Sequence, residues 1–215
     1  MTTHPSDRLD APRRQALFRA AVEEFASLGF KQASLNRIIA QTGMSKSSFY
    51  HYFDSKADLF RCTLDHYTAP YLERLNAFDP AKLNAENFWQ ALQEAARAQT
   101  VIANASSESG VVMRLLQRTI EDPDEQANAA ELMQAATQWL TEWIRRGQVL
   151  GHVRDDLPED LLIATVMGFS MSFDSWLMSK WDHLSGTERL TLSDAGAEIC
   201  RRILARPDCM FDPAG

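Results

Sequence analysis

The sequence predicts an all-α protein in two parts, a small three-helix N-terminal domain followed by a larger helical bundle. Three observations carry this. Apolar residues recur at helical spacing along most of the 215 residues, and no stretch alternates convincingly with the period of two that a half-buried strand requires. Two short helical stretches flank a turn containing glycine, "QTGMS" at 41–45. The charge is also divided. Residues 1–60 hold eight Lys/Arg against six Asp/Glu, a net +2, whereas 61–215 hold fourteen against twenty-three, a net −9. An acidic body carrying a basic head suggests different partners for the two parts.

The elements follow in order. "APRRQALFRAAVEEFASLGF" places Leu17, Ala21, Phe25 and Leu28 on one helical face. Asp10 suits its N-cap, Pro12 its first turn and Gly29 its C-terminal cap. Ser34 caps a second helix at 35–41, with Ile38 and Ile39 pointing inward. Gly43 permits a sharp turn, and Ser45 caps a third helix at 46–52, anchored by Phe49 and Phe53. Asp54 and Ser55 break and recap the chain. A long fourth helix carries Leu59, Phe60, Leu64, Tyr67, Tyr71 and Leu75 at helical spacing, bent at Pro70. "FDPAK" reads as a turn, and further helices are predicted at 85–105, 110–121, 124–146, 158–180 and 190–205. "GQVLGHVRDDLPED" is the longest polar connection, and the tail after Arg206 is expected to be poorly ordered. The predicted domains are 1–58 and 59–215.

The second and third helices form a helix-turn-helix pattern, whose second helix enters a DNA major groove. The chemistry suits a polyanion. Lys46 offers a charge to phosphate or a guanine edge, and Ser45, Ser47 and Ser48 offer short donors. Tyr50 and His51 sit outside the Phe49–Phe53 anchor. Lys56 begins the next helix, where a phosphate would meet its ammonium and the helix N-terminus. Asp54 and Asp58 fall at or after the break, off the third helix.

"SLNRIIAQTGMSKSSFYHYFDSKADLF", preceded by "ALFRAAVEEFASLGF", resembles the DNA-binding domain of the tetracycline-repressor (TetR) family over residues 13–60. The spacing matches across four elements, from the helix and Gly-Phe through the capped helix and Gly-x-Ser to Phe-Tyr-x-x-Phe and Ser-Lys. Two positions depart: Ser47 stands where the family often has Gly, and Ile39 where it often has Ala. By position, the resemblance implies DNA contacts from Ser34, Arg37, Ser45, Lys46, Ser47, Tyr50, His51 and Lys56. It also implies an effector-binding, dimerising C-terminal domain, and hence a homodimer on a near-palindromic double-stranded operator.

The C-terminal residues point the same way. The 158–180 helix is apolar almost all round, so both faces need cover. Ala164, Gly168 and Ser172 repeat at four-residue spacing, and Ala195, Gly196 and Ala197 stand in the last helix. Small residues let helices approach closely, so two copies of these helices suit a subunit interface. Met113, Leu116, Trp139, Trp143, Phe169, Phe173 and Trp176 are the candidate lining of an apolar effector pocket. Asp174 among them is unusual: if buried it needs a cation, and otherwise it is solvated or hydrogen-bonded at an edge.

Other classes are disfavoured. Three cysteines without a CxxC pair fit a reducing cytoplasm. The N-terminus has no apolar signal core. The longest uncharged apolar-rich run, 161–173, is shorter than a membrane span, so no membrane partner is expected. The histidines are scattered and show no metal spacing, no cofactor is implied, and no catalytic motif appears. The expected function is a cytoplasmic, ligand-responsive transcriptional regulator, most simply a repressor released by a small apolar or amphipathic effector. The alternative is an all-helical carrier or enzyme with a vestigial DNA-binding head.

Overall fold

In a computed structural model, residues 4–104 and 107–207 are described. The helices are α1 (Ala11–Gln32), α2 (Leu35–Thr42), α3 (Lys46–Tyr52), α4 (Lys56–Asn76), α5 (Phe88–Asn104), α6 (Ser107–Glu121), α7 (Ala130–Val149), α8 (Glu159–Lys180) and α9 (Gly186–Leu204). Among the described residues there is no strand, only an isolated bridge between Val153 and Ala205. The expected tail lies largely outside the described residues.

The chain divides into two compact units. One combines Met1–Pro70 with Glu108–Ala130, and the other combines Tyr71–Ser107 with Glu131–Gly215. Lys56–Pro70 of α4 and nearly all of α6 group with the N-terminal helices in the compact units.

In the first unit, α1 buries Leu17, Phe18, Ala21, Val22 and Phe25. Asp10 caps it by accepting the Arg13 amide, and a 3₁₀ turn at Pro5–Arg8 precedes it. Gly29 (φ 73°, ψ 165°) interrupts the helix in a region open essentially to glycine alone. Ser34 caps α2 and Ser45 caps α3, each accepting the amide three residues on. Between them Gly43 adopts φ 66°, the left-handed conformation that closes a helix C-terminus.

In the second unit the core gathers Leu83, Phe88, Leu140, Trp143, Ile144, Val153, Leu162, Val166 and Leu204. α9 packs along α5 and α8. Helix α5 starts three residues later than expected because Asn84 Oδ1 accepts the Glu86 and Asn87 amides, holding 84–87 in a local turn. Helix α7 starts six residues late: a 3₁₀ turn at Gln126–Ala129 intervenes, preceded by an Asp122 side-chain bond to the Asp124 amide. Gly147 lets α7 approach its neighbours. A Cβ there would fall well inside contact distance of the Phe88 ring and Val153.

Helix α8 buries Leu162, Val166 and Leu177, while Leu161, Met171 and Trp176 are 41–48% exposed. With the following turn, Glu159–His183 is long and apolar enough, by length and composition, to cross a membrane. That extends the 13-residue run read from the sequence, because it reaches across Asp174. Leu162 and Val166 of this helix nonetheless pack in the second unit's core.

Candidate nucleic-acid interface

The interface is built on α3, which is held from inside by two phenylalanines. Phe49 is 0% and Phe53 1% exposed, and their rings stack at 5.2 Å. Phe18 of α1 meets Phe53 edge-on at 6.4 Å. With this face buried, Ser45, Lys46, Ser47, Tyr50 and His51 are exposed. Tyr50 is 56% exposed and braced edge-on against Phe49 at 5.2 Å. His51 is braced likewise on Tyr52. Five of the eight DNA-contact candidates therefore lie on one solvent-facing helix and its cap.

Ser34 and Arg37 are held at the start of α2. The Ser34 amide donates to Glu24 Oε1 at 2.7 Å, and the Arg37 guanidinium donates to the same oxygen at 2.6 and 2.9 Å. Burial pushes the Glu24 carboxyl up, but Arg37 and the Ser34 amide outweigh it and hold the group below its usual range. Glu24 thus pins α2 to α1. A phosphate on Arg37 would share the guanidinium with it.

Lys56, expected to offer its ammonium to phosphate, has that group engaged within the unit. Nζ donates to the carbonyls of Phe30 at 2.7 Å, Ala33 at 3.0 Å and Lys31 at 3.3 Å, and lies 4.6 Å from the Phe30 ring centre. An ammonium has three N–H donors, and all three are engaged. These carbonyls lie at and just beyond the end of α1, where a helix leaves its last carbonyls without intrahelical partners.

A second clamp on α1 carries no signal in the sequence. Arg118 of α6 donates to the carbonyls of Ala26 at 3.1 Å and Ser27 at 3.3 Å. Lys31 pairs with Asp124 just beyond α6. No local pattern marks these partners, which are about ninety positions apart in the chain.

The seven pocket candidates separate. Met113 and Leu116 lie on α6 in the first unit, and the other five lie in the second. Trp143, a candidate for the pocket, is 0% exposed, stacked on Phe88 at 4.0 Å and edge-on to Trp89 at 5.6 Å. Its indole N–H has no hydrogen-bond partner among the described residues. Trp139 is half-buried against Phe78 at 5.4 Å. On α8, Phe169 stacks on Phe173 at 5.7 Å, and Phe173 packs over Gly196. Trp176 is 47% exposed. Asp174, next to Phe173 in the chain, is half-buried, and burial pushes its carboxyl up to about 6.

A three-helix head with a capped, outward-facing third helix defines a helix-turn-helix DNA-binding module. The family described as "Bacterial regulatory proteins, tetR family" matches residues 17–62. The chain is 29% identical to the HTH-type transcriptional repressor AcnR of Corynebacterium diphtheriae over 154 residues, covering 70% of this chain and 73% of that one. It is 26% identical to the HTH-type transcriptional repressor Rv1474c of Mycobacterium tuberculosis, covering 73% and 76%. Its fold is similar to that of the transcriptional regulator FadR from Bacillus subtilis, crystallised with stearoyl-CoA (TM-score 0.69, 17% identity, 86% of this chain and 96% of that one). It is also similar to that of SmeT, the repressor of the Stenotrophomonas maltophilia efflux pump SmeDEF (TM-score 0.69, 15% identity, 94% of each chain). Residues 17–62 thus match the DNA-binding domain of the tetR family, and the chain is a DNA-binding transcriptional regulator similar to those repressors.

Proposed function

We propose that the protein is a cytoplasmic, homodimeric, non-catalytic repressor that leaves a near-palindromic operator when a small apolar or amphipathic effector binds its second unit. The exposed face of α3 is the observation that carries this reading. Lys46, Ser47, Tyr50 and His51 face outward on a helix whose other side is anchored by Phe49 and Phe53. Ser45 joins them at the cap, while Ser34 and Arg37 supply contacts from the start of α2. At Lys56 the N-terminal amides of α4, rather than the ammonium, are the phosphate donors.

The dimer is inferred from α8 and α9. Leu161, Met171, Trp176 and Ile199 are exposed apolar side chains, and a Cβ on Gly168 would meet nothing within 4 Å. A second copy covers such a face without a membrane. The effector site is inferred from Trp139, Phe169, Phe173 and Trp176 of the second unit. The stearoyl-CoA complex of the similar B. subtilis fold supports an amphipathic class.

The test is fluorescence anisotropy with DNA flanking the protein's own gene, compared with random duplex. Operator-selective, salt-dependent binding that Lys46→Ala weakens supports the reading. Equal affinity for both DNAs rejects it. A long-chain acyl-CoA added to the complex then tests the effector class by release of the DNA.

A further inference from the structure

We propose that His4, Asp58 and Cys62 form a binding site for a divalent transition metal of the zinc class, inside the N-terminal unit. The sequence shows no metal spacing, because His4 stands 54 and 58 positions from the other two. The fold removes that separation. The 3₁₀ turn ahead of α1 lays His4 against the first turns of α4, where Asp58 and Cys62 lie four residues apart on one face.

The geometry is close to that of a metal site before any ion is considered. His4 Nε2 lies 3.2 Å from Asp58 Oδ2 and 3.5 Å from Cys62 Sγ, and the ligand atoms of the three residues lie within 4.8 Å of one another. Tetrahedral zinc, with bonds of about 2.0 Å to N and O and about 2.3 Å to S, sets its donors roughly 3.3–3.6 Å apart. Two edges already have nearly that length. An imidazole, a thiolate and a carboxylate suit zinc-like ions and disfavour magnesium or calcium, which prefer all-oxygen sites.

The surroundings also fit. The other ring nitrogen, His4 Nδ1, accepts the Ser6 amide N–H at 3.1 Å and lies 2.7 Å from buried Ser6 Oγ. A ring bound to metal through Nε2 carries its proton on Nδ1, so binding would exchange the Ser6 amide bond for donation to Ser6 Oγ. Asp58 has its two oxygens divided. Oδ1 takes Arg61 at 2.7 Å, while Oδ2 faces His4 and accepts the Asp54 amide at 3.1 Å. Cys62 is buried and loses its proton on binding. Water would complete four-coordination.

A bound ion would fasten the segment ahead of α1 to α4. Through the bond from the Asp54 amide to Asp58, it would also stiffen the junction following α3. This follows from the site itself and does not depend on which operator or effector the protein uses.

The test uses full-length protein, reduced and stripped with chelator, and Co²⁺ as the probe. One equivalent per chain should bind with a thiolate-to-cobalt charge-transfer band, and Zn²⁺ should displace it. His4→Ala should weaken binding by at least about tenfold, since even partners outside the coordination shell are worth 10–100-fold. Cys62→Ser should abolish the band, whereas Cys200→Ser and Cys209→Ser should keep it. Circular dichroism of His4→Ala and of the gentler His4→Gln guards against unfolding. Loss of cobalt at unchanged helicity supports the site. Absence of stoichiometric binding, a band surviving Cys62→Ser, or affinity unchanged in His4→Ala overturns it.

Discussion

At the scale of single residues, similar chemistry does different work depending on its neighbours. Lys46 and Lys56 each begin a helix just after a serine. Lys46 is exposed on the DNA-facing side, so Lys46→Ala should leave stability unchanged and cost about 1–3 kcal/mol of operator affinity for each base pair it reads. Lys56 closes the end of α1 on three carbonyls. Lys56→Ala should therefore lower unfolding free energy by about 1.5–3 kcal/mol, the usual range for charged hydrogen bonds, while the slope of log K against log salt stays nearly constant. Urea titrations and an anisotropy salt series on both variants separate the two roles. Asp174 supplies a pH test. Its carboxyl has a pKa raised from 3.8 to about 6 on folding, so the folded chain holds the proton more tightly. Stability from this group is complete below the unfolded value and is lost as pH rises through about 6. Asp174→Asn should be more stable than the parent by about 1–3 kcal/mol at about pH 7.5, and the gain should vanish near about pH 4.

Among the helices, close approach decides more than propensity. Gly29 holds a backbone conformation that a side chain reaches only with strain, and a Cβ there would stand 3.1 Å from Arg118 Nε. Gly29→Ala should cost about 1–3 kcal/mol and loosen the Lys56 and Arg118 caps together. Hydrogen exchange at residues 26–34 would register that loosening. Gly147 is an ordinary helical glycine by sequence, yet it faces the Phe88 ring with no room for a side chain. Gly147→Ala should lose stability by about 1–3 kcal/mol through overpacking, although alanine is the better helix former. A thermal midpoint at or above the parent's would contradict the packing described.

For the whole molecule, the proposed dimer determines whether one recognition helix per chain is sufficient. Two copies present two helices to successive major grooves, about 34–36 Å apart. A bulky charge at Gly168, in the middle of the exposed stripe of α8, should prevent association. Gly168→Glu is expected to sediment as a monomer at micromolar concentration and to lose operator affinity with it. A variant that remains dimeric would place the interface elsewhere.

The sequence by itself determined the helices, the caps and the chemistry facing outward from α3. These are local matters: Asp10, Ser34 and Ser45 each bond an amide three residues on, Gly43 supplies its own left-handed turn, and helical period assigns Phe49 and Phe53 to the inside. Helix starts are displaced from the periodic pattern where side chains make short-range turns, as at Asn84 and Asp122. Only the tertiary structure decided which unit α6 belongs to, that Lys56 caps α1, that Trp143 is core, and that His4 meets Asp58 and Cys62. Each of those joins residues tens of positions apart in the chain. Periodicity reports which face of a helix is apolar, but not what lies opposite it, so the partner of a buried ring or a long cation is set by packing alone.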